Sequence, residues 1–201
     1  MNFKRLNTYQ EAPEQAFEAL CNQLFEQWVR ATHPNQVPYF TAVNGAGGDG
    51  GVEAYAELAT GDIIGLQAKW FLSPLQSSQI GQIRNSVETA RRIRPHLRHY
   101  IVCVPRNFQS TKNGPGGKIA KDTEEYRVRT LEAELKAAYP DLVVEFWTEH
   151  RLRQRLQEPG NEGVVRFWFE KEALSPASLQ LRFDVAKAGW LRERYCPDLH
   201  C

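Results

Sequence analysis

"GGDGGVEAYAELATGDIIGLQAKWF", residues 47–71, is the stretch whose reading decides the fold. Glycines flank an acid, two strand-like runs follow, and the second run sets a lysine two residues after a glutamine. Residues 52–58 and 63–71 have strand length and composition, and "ATGD" between them supplies a turn, so the pair reads as a hairpin. Side chains of equal parity share a strand face, so Gln67 and Lys69 point one way, as do Asp49, Gly51 and Glu53. A turn centred near residues 60 and 61 sets Glu53 roughly opposite Gln67 or Ala68. Asp49 then lies further out, level with the strand end beyond Lys69. Two carboxylates, an amide oxygen and an ammonium converge at one end of a sheet.

The flanking sequence alternates helical and strand signals. Proline-first "EAPEQ" opens a helix whose apolar stripe runs through Ala16, Phe17, Leu20, Cys21, Leu24, Phe25 and Trp28. Residues 39–43 read as a short strand, 79–93 as a second helix, and "YIVCV" at 100–104 as a buried central strand. Residues 105–118 are loop-like in composition. A third helix over 121–139 and a strand over 142–147 complete the pattern. Helix, three strands, helix, strand, helix, strand predicts an α/β fold, a mixed sheet flanked by helices. After Thr148 come short helix-like pieces rich in Trp and Phe. The expected division is therefore a main α/β domain over 1–148 and a small helical, aromatic-rich extension over 149–201. The chain stops at "RYCPDLHC" without a capping sequence, as a piece of a longer natural protein would.

Composition narrows the function classes. The chain has 201 residues, 42% of them hydrophobic, enough to bury a core. No apolar run is long enough to span a membrane. The N-terminal segment lacks a signal-peptide core, so a cytoplasmic location is expected. The cysteines Cys21, Cys103, Cys196 and Cys201 are scattered, without the spacing of a zinc site or a disulfide framework. The net charge of +1 conceals an asymmetry, because residues 84–121 hold nine Lys/Arg against the single acid Glu88, a local +8. Such a segment is a candidate phosphate-binding surface.

Hard oxygen donors suit Mg²⁺, which takes one or two carboxylates and otherwise keeps water and phosphate oxygens. A lysine beside that ion can orient the attacking water or offset the charge developing on a phosphate. "GDGGVE", a hairpin and "QAK" after an acid-bearing helix resemble the PD-(D/E)xK nuclease superfamily. The similarity is closest to the Mrr-like restriction endonucleases and covers about residues 10–147. The resemblance implies a restriction-endonuclease-like fold and Mg²⁺-dependent cleavage of double-stranded DNA with little sequence specificity, with Mn²⁺ able to substitute. It implies metal ligands among Glu53, Asp49, Glu18 (in "FEAL") and Gln67, with Lys69 handling the water or the phosphate charge. Cross-strand register favours Glu53 as principal ligand and the glycine flanks favour Asp49, so both are kept. Gln67 stands where the superfamily usually has an acid, a variant known among Mrr-like proteins.

Arg84, Arg91 and Arg92 on the second helix, and Lys112 and Lys118 in the loop, are expected to contact DNA phosphates. The aromatic-rich C-terminal part resembles the region after the nuclease in bacterial antiviral proteins, where an NTPase of the STAND type and a sensor follow. That implies an effector domain activated by oligomerisation, as a homo-oligomer or through attached NTPase and sensor domains. A catalytically inactive nuclease fold serving DNA binding or oligomerisation is the alternative, and a junction resolvase is a narrower one.

Overall fold

Proline opens the first helix where a missing N–H costs nothing. In the computed structural model, which describes residues 2–43, 50–109, 120, 123–170, 179–181 and 183–187, this helix is α1 (Pro13–Thr32). Gln15 Oε1 accepts from the Ala12 N–H at 3.3 Å and closes its first turn. Ala16, Phe17, Leu20, Cys21, Leu24, Phe25 and Val29 are its buried stripe. Pro34, just past the helix, cannot continue it.

The strands are β1 (Tyr39–Ala42), β2 (Ala54–Glu57), β3 (Ile63–Ala68), β4 (Leu97–Cys103) and β5 (Val143–Trp147), in the sheet order β1-β2-β3-β4-β5. The first three form an antiparallel meander. β3, β4 and β5 are parallel neighbours, which require crossovers. These are α2 (Ser77–Ile93) and α3 (Glu124–Ala138). The chain advances across the sheet in one direction, so right-handed connections bring both helices to the same face. Ile80, Ile83, Val87 and Ala90 of α2 and Val128, Leu131 and Leu135 of α3 pack there with Val52, Leu97, Tyr100 and Val102. The opposite face, with Ala54, Ala56, Ile64, Leu66, Ile101 and Cys103, is covered by α1. The mixed sheet flanked by helices expected from the sequence is the fold observed.

Two short helices follow, α4 (Glu149–Leu156) and α5 (Glu162–Phe169). Leu152, Leu156 and Trp168 join the α1-side core, and Trp168 Nε1 donates to Gln23 Oε1 at 2.8 Å. The first compact unit therefore runs over Met1–Phe169, past the boundary expected at residue 148, because these aromatic and aliphatic side chains bury against α1. The second unit, Glu170–Cys201, contains helical residues 179–181 and 183–187, with Gln180 Nε2 donating to Asp184 Oδ1 at 3.0 Å. Among the described residues no helix is long and apolar enough to cross a membrane.

The loops leaving β3 and β4 are tied together by one buried carboxylate. Glu124, at the start of α3, accepts from the backbone N–H of Leu75 and of Gln109, each at 2.7 Å, and pairs with both Nη atoms of Arg106. Burial alone would raise its pKa, but the Arg106 guanidinium and the two N–H groups outweigh it and hold the carboxyl below its ordinary value. With the folded value depressed, this stabilisation is present above the ordinary carboxylate range. It is lost as pH falls through the folded value. Glu124→Ala leaves a buried guanidinium uncompensated and should cost about 3–5 kcal/mol in urea unfolding at pH 7. The gap from wild type should narrow as pH falls below about 4. A gap that is small at pH 7, or independent of pH, would remove Glu124 as the tie.

Candidate active site at the open end of the hairpin

The glycines before β2 let the chain lie directly on α2. Gly50 and Gly51 have φ of 60° and 80°. A Cβ on Gly51 would sit 2.2 Å from Ser86 O and 2.7 Å from Ala90 N, both backbone atoms of α2 that cannot give way. Arg94, at the end of α2, holds the same segment from outside. Its Nη1 donates to Gly50 O at 3.1 Å, and its guanidinium lies 4.5 Å from the centroid of the Tyr55 ring. The turn is pressed between helix and strand, and its position fixes where Glu53 emerges.

Glu53 is one step beyond the last β2–β3 pair, Ala54↔Leu66, and so stands across from Gln67. Its N–H donates to Leu66 O at 2.8 Å, and its C=O accepts from Val43 N–H at 2.6 Å. Gln67 is fully buried and Glu53 nearly so. Gln67 Nε2 donates to Glu53 Oε1. On the other side of the carboxamide, Gln67 Oε1 lies 3.3 Å from the hydroxyl of buried Tyr100, which also donates to Gly51 O. Lys69 follows the end of β3. Its backbone N–H donates to Cys103 O at 2.9 Å, its side chain is half-buried, and it has no ion-pair partner among the described residues.

Glu18 comes from α1 and is half-buried. It and Glu53 act on a common neighbour. The Cys21 thiol is pushed well above its usual pKa, first by burial, then by its hydrogen bond to Cys103 and the field of that group, and finally by the negative fields of Glu18 and Glu53. Cys21 and Cys103 are both buried and reduced, and they join α1 to β4 beneath the site. The structure sets Gln67 against Glu53, with Lys69 two residues beyond Gln67 just past the end of β3, while Glu18 shares with Glu53 an influence on Cys21. Asp49 lies outside the described residues.

The basic segment has a different character from the one the sequence suggests. Arg84 pairs with Glu134 of α3. Arg91 donates to Pro95 O at 2.5 Å and Leu97 O at 2.7 Å, and pairs with Asp141 at 2.6 Å. Arg98 bridges Asp62 and Asp141, and Arg106 is taken by Glu124. Of the helix arginines expected at DNA, Arg92 is exposed without an ion pair among the described residues. Lys112 and Lys118 lie outside the described residues.

A hard divalent ion requires only one or two carboxylates together with neutral oxygens and water. Glu53, Glu18 and the Gln67 carboxamide supply donors of that type. Among the described residues no cluster of three or more His, Cys, Asp or Glu is gathered for a metal ion. Sequence reading missed Tyr100, Arg94 and Glu124. A signal existed for Tyr100, since a tyrosine inside a buried apolar strand must find a partner for its hydroxyl.

Gly51→Ala should cost about 1–3 kcal/mol, because it adds overpacking against α2 to a positive φ. Urea unfolding would measure this, and a neutral effect would show that the turn can move away from α2. Comparison with protein-family models finds no match, and comparison with curated protein sequences finds none either, so the geometry of Glu53, Gln67 and Lys69 carries the functional reading.

Proposed function

We propose that the chain carries a Mg²⁺-dependent endonuclease site of the PD-(D/E)xK, Mrr-like kind, which hydrolyses phosphodiesters of double-stranded DNA with little sequence specificity. The observation that supports this most is the side-chain meeting of Glu53 with Gln67 at the hairpin end, where Lys69 follows two residues on. In this reading Glu53 and Glu18 hold the ion, with Asp49 as a further ligand. A bound Mg²⁺ supplies charge to the scissile phosphate and lowers the pKa of a bound water. Lys69 stabilises the negative charge that develops on the phosphate oxygens. Burial of Glu53 and Gln67 keeps bulk water away, which strengthens each of these interactions. Arg92 offers a phosphate contact outside the site. The role of an effector activated by oligomerisation, with cytoplasmic antiviral function, rests on the sequence resemblance.

A second reading has one specific observation in its favour. The Gln67 amide N–H occupies Glu53, as it would in a nuclease fold that binds DNA without cutting it.

Supercoiled plasmid incubated with Mg²⁺ at high protein concentration distinguishes the two. Nicking abolished by EDTA and reduced about 10²–10³-fold in Lys69→Ala, with comparable loss in Glu53→Ala, is expected for the enzyme. Salt-sensitive DNA binding with the plasmid intact, including after forced dimerisation, would sink the enzyme and leave the binding module.

A further inference from the structure

We infer that Tyr39, Tyr55 and Arg94 form a subsite for an unpaired nucleobase and its phosphate, so that the DNA suited to the site has a single-stranded stretch beside the point of cleavage. The cleavage half of this rests on the nuclease reading given above, while the binding half stands on these three residues alone.

Sheet register puts the three side chains next to the site. Tyr39 pairs with Glu57 and Thr41 with Tyr55, so Tyr39 and Tyr55 are diagonal neighbours on one face of the sheet, the face that packs on α2. Glu53 shares the parity of Tyr55 and lies two residues, about 7 Å, along the chain. The Tyr39 and Tyr55 rings are 5.9 Å apart between centroids and tilted by 46°, and the two side chains are hydrogen-bonded to each other. The Arg94 guanidinium lies 4.5 Å from the centroid of the Tyr55 ring and is anchored by its bond to Gly50 O. β1 is an edge of the sheet, and Tyr39 is 49% exposed. An exposed tyrosine usually turns freely, but this one is held by its neighbour, so little conformational freedom is left to lose on binding.

Charge singles out the same place. Arg84, Arg91, Arg98 and Arg106 are neutralised by carboxylates, whereas Arg94 has no ion-pair partner among the described residues. Its charge is available to a phosphate, and the ring it stacks on fixes its position. Burial and the bond to Tyr39 raise the Tyr55 pKa, so Tyr55 sets no negative charge beside the guanidinium. The acid on this face is exposed Glu57, across from Tyr39. A phosphate therefore belongs at the Arg94 end of the platform, toward Glu53.

Ring faces decide which form of DNA fits. In a duplex each base is covered above and below by its neighbours, and a protein meets only phosphates, sugars and base edges. An aromatic platform beside a guanidinium suits a base whose face is free, and such stacking tolerates any base. The platform thus favours single strand with little sequence preference, and its place beside Glu53 sets the stacked base next to the phosphate at the site.

The test uses the full chain, first in EDTA so that binding is read without cleavage. A fluorescein-labelled oligothymidylate, the same strand with abasic positions, and a blunt duplex of equal length are the probes, followed by fluorescence anisotropy. The oligothymidylate should bind more tightly than either of the others. Tyr39→Ala should weaken its binding roughly 5- to 100-fold, and Tyr39→Phe much less, because the ring provides the stacking. Arg94→Gln should lower the slope of log affinity against log salt by about 0.7. The abasic and duplex probes act on the wild-type chain, so the inference stays testable if a variant folds poorly. Abasic and intact strands bound equally, or Tyr39→Ala binding as wild type does, would overturn the subsite. A duplex with a single-stranded tail is then incubated with Mg²⁺. Cuts beside the junction that vanish in Lys69→Ala and weaken in Tyr39→Ala are expected. Cleavage that needs Lys69 but ignores both the tail and Tyr39 would overturn the subsite while leaving the nuclease. Base-dependent binding without any cleavage would overturn the nuclease reading and leave the subsite.

Discussion

Backbone contact between the Gly51 peptide and α2 is the constraint on which the site depends. A Cβ at this point would lie 2.2 Å from Ser86 O, so the chain can pass only as glycine. That contact sets the height at which β2 begins and therefore which residue faces Gln67. Tyr100 ties the same peptide to β4, and Arg94 ties Gly50 to the end of α2. The costly glycine cluster is thus explained by packing before any chemistry is invoked. It provides a fixed point from which Glu53 projects.

The legible part of the fold was the part governed by local periodicity. The α1 stripe and the turn centred near residue 60 could be read from spacing, and the turn centre narrowed the residue across from Glu53 to Gln67 or Ala68, between which the observed register decides for Gln67. The ends were less legible. β3 stops at Ala68 because Phe71 N–H turns back to Lys69 O at 2.8 Å, which no apolar count anticipates. β4 starts at Leu97, before the apolar run, because the polar residues Arg98 and His99 belong to the strand. The docking of α4 and α5 was not legible, since short amphipathic pieces look alike whether they pack on a core or leave it. Within the site, residue types could be read, but the contact of Gln67 with Tyr100 spans 33 positions of sequence, and no local pattern announces it.

Charge is where local reading and tertiary structure part most clearly. A run of nine basic residues suggests a phosphate surface, yet Arg84, Arg91, Arg98 and Arg106 are spent on Glu134, Asp141, Asp62 and Glu124. These acids lie outside the basic segment, so no window along the chain shows the neutralisation. The arginines lock α2 to α3 and the β4 side of the sheet. Arg91 does so through backbone carbonyls as well as Asp141, which makes it a cap for the carbonyl groups around Pro95 and Leu97.

The surroundings of Glu53 bear on the choice of a neutral residue at position 67. Beneath Glu18 and Glu53 lie the Cys21 and Cys103 thiols. Burial and the two carboxylates raise the Cys21 pKa, and this keeps that thiol neutral. Neutral thiols offer weak hydrogen bonds and no compensating charge. Gln67, neutral as well, can hold Glu53 through one N–H but cannot cancel its charge. An acid at position 67 would add a second negative charge beside Glu53. A glutamine at this position therefore leaves the Glu53 carboxylate hydrogen-bonded without setting a second carboxylate against it.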